Sequence, residues 1–186
     1  MSTPRFTRAE LESYAGQTID DLLPDPLRLL FVGINPGLVS AATGLHFART
    51  GNRFYPALRE AGIIESVTAA EARPELLAVG IGITNLVARS SARADELDAA
   101  ELLEGRERLV QLVTERRPAV VAVAGITSYR TAFGERAAVA GRQPHDLAGA
   151  ALWVVPNPSG LNAHETVASL AAAYAAPAHE AGILPT

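Results

Sequence analysis

Leu29-Leu30-Phe31-Val32-Gly33-Ile34-Asn35-Pro36-Gly37 is the stretch on which the fold turns. Its apolar residues are consecutive rather than alternating, the pattern of a strand buried on both faces of a parallel sheet. The strand then leaves through Gly, Asn and Pro. Such an exit aims the Asn35 amide and nearby backbone N–H groups into the crevice at a sheet's carboxyl edge, where open α/β folds bind ligands. About 120 residues later, Leu152-Trp153-Val154-Val155 leaves in the same manner through Pro156-Asn157-Pro158-Ser159-Gly160-Leu161. Two such edges can face each other across one site. Asn-Pro-Gly alone is an ordinary turn signal, so the weight lies in the order, flanks and separation of the pair.

With 186 residues and 48% hydrophobic content, the chain suffices for one domain with a full core, expected to span residues 1–186. Met1 to Arg8 lack a secretory apolar stretch, and no run approaches the roughly 18 apolar residues of a membrane helix. A cytoplasmic protein without a membrane partner is expected. There is no cysteine, which removes disulfides, thiol nucleophiles, cysteine-bound zinc and iron–sulfur clusters together. The histidines, His46, His145, His164 and His179, have no short metal-ligand spacing, so neither a metal nor another cofactor is expected.

No lysine occurs, and all 16 basic residues are arginine. A lysine Schiff base is therefore impossible, which leaves only the terminal amine for imine chemistry. The formal net charge of -4 argues against a non-specific nucleic-acid coat but allows one local basic face. Arginine suits such a face, because its fork matches phosphate oxygens.

Along the chain, Thr7 to Tyr14 reads as a short covering helix, with Thr7 and Glu10 at capping-box spacing. Arg28 to Gly33 is the first strand. Leu38 to Gly51 reads as a long loop, after which Asn52 caps a helix to about Ala61. A short helix is expected over Glu71 to Val79, and a second strand over Gly82 to Val87, entering an arginine-bearing loop at Ala88 to Ala94. Asp98 to Arg116 is the clearest helix: Leu102, Leu103, Leu109, Val110, Leu112 and Val113 form its apolar face. A strand over Ala119 to Ala124 follows, then a helix over Thr127 to Phe133, a surface connection from Arg136 to Ala150, the last strand over Leu152 to Val155, and a helix over His164 to Ala176. This alternation predicts a three-layer α/β/α sandwich with a mainly parallel sheet of about four strands.

Several blocks together resemble the mismatch-specific uracil/thymine DNA glycosylases, within the uracil-DNA glycosylase fold. Gly33-Ile34-Asn35-Pro36-Gly37-Leu38, Thr43-Gly44 with Phe47-Ala48, and Asn52-Arg53-Phe54 are similar to that family's first block. Gly82 to Val87, with Glu101-Leu102, Gly105-Arg106 and Leu109-Val110, are similar to its middle, and Asn157-Pro158-Ser159-Gly160-Leu161 to its last. The combination spans residues 28–176.

The resemblance implies a monofunctional base-excision enzyme that flips uracil out of a mismatch with guanine in duplex DNA and hydrolyses its N-glycosidic bond, leaving an abasic site. Flipping costs a few kcal/mol, least at a mismatch. Asn35 matches the catalytic asparagine, whose side-chain oxygen positions the attacking water. Backbone groups near Ile34, Gly37 and Phe47 would receive the uracil edge and its developing charge, with Asn85 forming one pocket wall and Ser40 and Ala41 lying where a thymine methyl is admitted or excluded. Phe47 matches the stacking residue; its other reading is a core phenylalanine. Leu161 matches the wedge that fills the vacated stack, with Gly160 and Asn162 presenting peptide groups to the widowed guanine.

Other positions keep two readings. Asn157 is a turn residue or a contact to phosphate or sugar. His164 stands where some relatives have arginine, and either replaces it or merely starts a helix. Asp95 is a helix N-terminal charge or a catalytic acid that assists the water or the sugar cation. Arg49, Arg53, Arg89 and Arg93 lie in the site loops and can hold phosphates, although Arg53 equally suits a structural ion pair. A monomer on double-stranded DNA is expected. The alternative from another class is a non-catalytic mismatch- or lesion-recognition protein.

Overall fold

The computed structural model describes residues 6–185; Met1 to Arg5 of the expected leaderless segment lie outside them. Its centre is a five-stranded sheet in the order β2-β1-β3-β5-β4, built from β1 (Leu29–Gly33), β2 (Ile81–Asn85), β3 (Val120–Ala124), β4 (Gly141–Leu147) and β5 (Ala150–Val155). All neighbours pair in parallel except β4, which runs antiparallel along β5 at one edge. The α/β architecture is as expected, with one strand more.

Consecutive apolar residues divide between two cores because successive side chains point to opposite faces. Leu29 and Phe31 of β1, with Val120 and Ala122 of β3, pack beneath α3 (Phe54–Glu60), α4 (Ala69–Val79) and α7 (Val167–Glu180). Leu30, Val32, Val121, Val123, Leu152 and Val154 meet α5 (Ala99–Arg116) and α6 (Ile126–Phe133) on the other face. This explains why β1 and β3 are uniformly buried.

Two expected loops contain structure. Leu38 to Gly51 begins with α2 (Leu38–Thr43), closed by Gly44 in the left-handed region. The Arg136 to Ala150 connection contains β4, where burial at Gln143 and Leu147 alternates with exposure. The last helix starts later than expected, at Val167, because the box that caps it joins Thr166 to Ser169. The first, α1 (Arg8–Glu12), has the expected Thr7–Glu10 capping box but no buried residue. Among the described residues no helix is long and apolar enough to cross a membrane.

From β1 the chain moves to one side to form β2 and then returns across β1 to form β3. The switch point therefore lies between β1 and β3. Ligands bind outside the carboxyl ends of strands at such a point, and both Asn-Pro turns leave the sheet on this edge.

Candidate active site

A cavity of about 410 Å³ opens at that edge. It gathers residues from the exits of four strands: Ile34, Asn35 and Gly37 after β1, Asn85 at the end of β2, Ala124 at the end of β3, and Asn157 after β5. Ser40, Phe47, Arg93, Asp95 and Leu161 complete the wall with other loop residues. Most of the candidate positions are therefore drawn into one chamber, from segments far apart in sequence.

Asn35 is held by the loop that follows β2. Its Nδ2 donates to the Arg89 carbonyl at 3.1 Å and to Ser91 Oγ at 2.8 Å. A carbonyl can only accept, and the Ser91 hydroxyl gives its own proton to the Arg93 carbonyl at 2.6 Å. Both partners thus require nitrogen at that end of the amide. Oδ1 is the end without a protein hydrogen bond among the described residues. The loop is fixed in turn, since Arg89 forms a forked pair with Glu101 at 2.5 and 2.9 Å, and Ser91 N–H donates to the Pro36 carbonyl. Arg89 holds the Glu101 carboxyl down to about 2, so this brace is ionised throughout the physiological range. Arg89 is committed to Glu101 and is not a free phosphate ligand.

Asn85 is fixed by a buried histidine. His46 is 5% exposed, and its Nε2 lies 3.0 Å from the Asp20 carbonyl. That acceptor requires the proton on Nε2, which leaves Nδ1 to accept from Asn85 Nδ2 at 3.4 Å. Burial lowers the His46 pKa to about 4, so the ring stays neutral. Asn85 Oδ1 lies over Gly33, where a Cβ would approach it to 2.5 Å. Gly33 therefore makes room for the Asn85 amide.

Phe47 has φ 52°, an uncommon conformation for a residue with a side chain. Its ring stacks on Phe54 with centroids 4.2 Å apart, and Phe47 also lines the cavity. Ser40 is buried and accepts from Ala48 N–H at 3.4 Å. Asp95 and Arg93 form a forked ion pair at 2.6 and 2.8 Å, with side chains 65% and 70% exposed. Hydrogen bonding to Arg93 holds the Asp95 carboxyl below its ordinary range.

The loop after β5 carries Leu161, 75% exposed, at the junction of this cavity with a groove reaching the start of α6. Asn157 Oδ1 accepts from Ser159 N–H, and the Asn157 carbonyl accepts from Asn162 Nδ2. His164 is exposed and lines the groove with Asn162. Gly160 lies against Gly51, whose carbonyl would be 2.6 Å from an added Cβ. Arg53 departs from the expected phosphate contact: its guanidinium donates to the carbonyls of Ser159, Asn162 and Glu165.

Sequence reasoning missed Ser91 and the pairing of His46 with Asn85. A clue to Ser91 was its place in an arginine-bearing loop directly after a buried strand. No group of three histidine or carboxylate side chains placed to hold a metal occurs among the described residues.

The model of the uracil DNA glycosylase superfamily matches residues 21–177, which include every strand and the whole cavity. The chain belongs to that superfamily. Uracil DNA glycosylases are hydrolases that act on DNA. The solution NMR structure of a candidate uracil DNA glycosylase from Methanosarcina acetivorans superposes with a TM-score of 0.58, covering 89% of this chain and 98% of that one at 15% identity. Identity this low shows the shared uracil DNA glycosylase fold alone.

Proposed function

We propose that this chain is a monofunctional glycosylase that removes uracil opposite guanine in duplex DNA, with thymine and ethenocytosine as further candidate bases. The observation that carries the reading is the Asn35 amide, with its nitrogen tied to Arg89 and Ser91 and its oxygen left for a water. Oδ1 would accept a hydrogen bond from that water and direct its lone pair at the sugar C1′ as the bond to uracil loosens. An amide is not a general base at neutral pH, so its contribution is orientation. The carboxylate of Asp95, ionised beside Arg93, supplies negative charge for the developing sugar cation and an acceptor for the water's proton.

The Asn85 amide supports uracil as the base. His46 holds Nδ2, so Oδ1 is presented as an acceptor for the uracil N3–H and the second Nδ2 hydrogen as a donor to O4. Cytosine reverses this pattern at both atoms and would leave buried groups unpaired. Leu161 would fill the stack, and absence of lysine favours hydrolysis without strand cleavage.

Single-turnover uracil release from a duplex with one G:U pair tests the reading. Asn35→Ala should slow release by about 10²-fold or more, the cost of losing the orientation of the water, and Asp95→Ala should slow it by no more than the roughly 10²- to 10⁴-fold of a positioned proton acceptor. One observation favours a non-catalytic lesion-recognition protein instead: Asp95, the sole carboxylate lining the cavity among the described residues, is engaged by Arg93. Tight mismatch binding without release by the unaltered protein would select that alternative.

A further inference from the structure

We infer that Arg53 is a positioning residue that sets the reach of Leu161, acting from beneath the loop rather than touching DNA. The inference rests on the glycosylase reading for the role of Leu161 but not for the brace itself.

Arg53 sits immediately before α3, and Phe54 and Tyr55 anchor that helix in the core. From this rigid base its guanidinium reaches the carbonyls of Ser159, at 2.6 Å, Asn162, at 2.7 Å, and Glu165. Its backbone N–H donates to the Pro158 carbonyl at 3.0 Å. Four bonds therefore hold residues 158–165 on both sides of Leu161. Arg53 has no carboxylate partner within ion-pair distance among the described residues, and its Nε is buried without a hydrogen bond. A part-buried cation that serves only carbonyl dipoles gains no ion pair for its desolvation, and what it supplies is geometry.

The remaining contacts come from the loop itself and from the segment before Arg53. Asn162 Nδ2 returns to the Asn157 carbonyl, and Gly160 is pressed against Gly51. Gly51 belongs to the segment that leads into Arg53, so the same short stretch supports the wedge from below and from the side. The Leu161 side chain makes none of these bonds and stays free to insert.

Lysine cannot reproduce the planar fork that serves separated carbonyls. Misplacement by about 1 Å can cost 10²-fold in rate, so Arg53→Lys is expected to slow release from a G:U duplex by about tenfold to a hundredfold. Release from single-stranded uracil, where nothing must be displaced, is expected to fall by less than about threefold on the same scale. Gly160→Ala pushes the loop off Gly51 without altering Arg53 and should give the same duplex-selective loss, which keeps the test usable if Arg53→Lys folds poorly. Because Arg53 acts through Leu161, adding Arg53→Lys to Leu161→Ala should cost little more than Leu161→Ala alone.

A second readout does not require turnover: fluorescence of 2-aminopurine next to the mismatch, which rises as the stack opens. Arg53→Lys should lower this rise. Equal losses on single and double strands, or full additivity with Leu161→Ala, would overturn the inference. Stack opening that depends on Arg53 but is followed by no uracil release would uphold the brace and reject the glycosylase reading. An unaltered protein that neither opens the stack nor releases uracil would overturn both.

Discussion

The two ends of the Asn35 amide have unequal company: nitrogen is bound twice, and oxygen is left to the cavity. Removing one nitrogen partner should loosen the group without removing it. A hydrogen bond is worth about 1 kcal/mol net, so Ser91→Ala is expected to slow single-turnover release by about fivefold, far less than Asn35→Ala. His46 has a measurable consequence of its own. Its folded pKa, about 4, lies below the ordinary 6.5, so between those values the unfolded chain binds a proton that the folded chain refuses. Stability should therefore fall as pH drops from 6.5 to 4, by up to about 3 kcal/mol. Chemical denaturation across this range should show the decline, and His46→Gln should flatten it. Asn35 and Asn157 were marked by turn chemistry after buried strands, and Phe47 and Leu161 by the family resemblance; all four line the cavity. Ser91 and His46 were not, because their importance comes from partners 56 and 39 residues away.

Strands and helices were legible where burial is continuous or caps are explicit, as in β1, β3 and α5. The edge strand β4 escaped because it carries Gly141, Pro144 and mostly exposed polar residues, a composition that suits an edge and blunts pairing with another sheet. The short α2 escaped because its N-cap is Gly37, without a capping side chain. Close packing between β1 and β2 gives a sharper prediction at this scale. Gly33→Ala would place a Cβ 2.5 Å from Asn85 Oδ1 and 3.3 Å from the Phe47 ring. It should cost about 1–3 kcal/mol in denaturation, as overpacking does, and should displace the Asn85 amide from the base position. Uracil release by the folded fraction should then fall sharply, while loss of stability without loss of release would remove Asn85 from the reading.

The whole molecule carries a net charge of -4, so under the glycosylase reading its attraction to DNA would be confined to a local basic face. Arg49 is exposed, lines both the cavity and the neighbouring surface beside Gly160, and has no ion pair among the described residues. If it meets a phosphate, Arg49→Ala should flatten the slope of log affinity against log salt by about one unit, as measured by fluorescence anisotropy on a G:U duplex. An unchanged slope would remove it from the DNA path.

Arg53 and Gly160 fasten the Leu161 loop to the same framework that supports Asn35. The distance between the two is thereby built in before any encounter, like the jaws of a caliper locked at one opening. A locked caliper does not search by bending itself; it passes along an object and closes only where the object yields. Under the glycosylase reading, the compliance that distinguishes a damaged pair from a sound one would then belong to the nucleic acid, and the protein would contribute the fixed dimension against which it is tested.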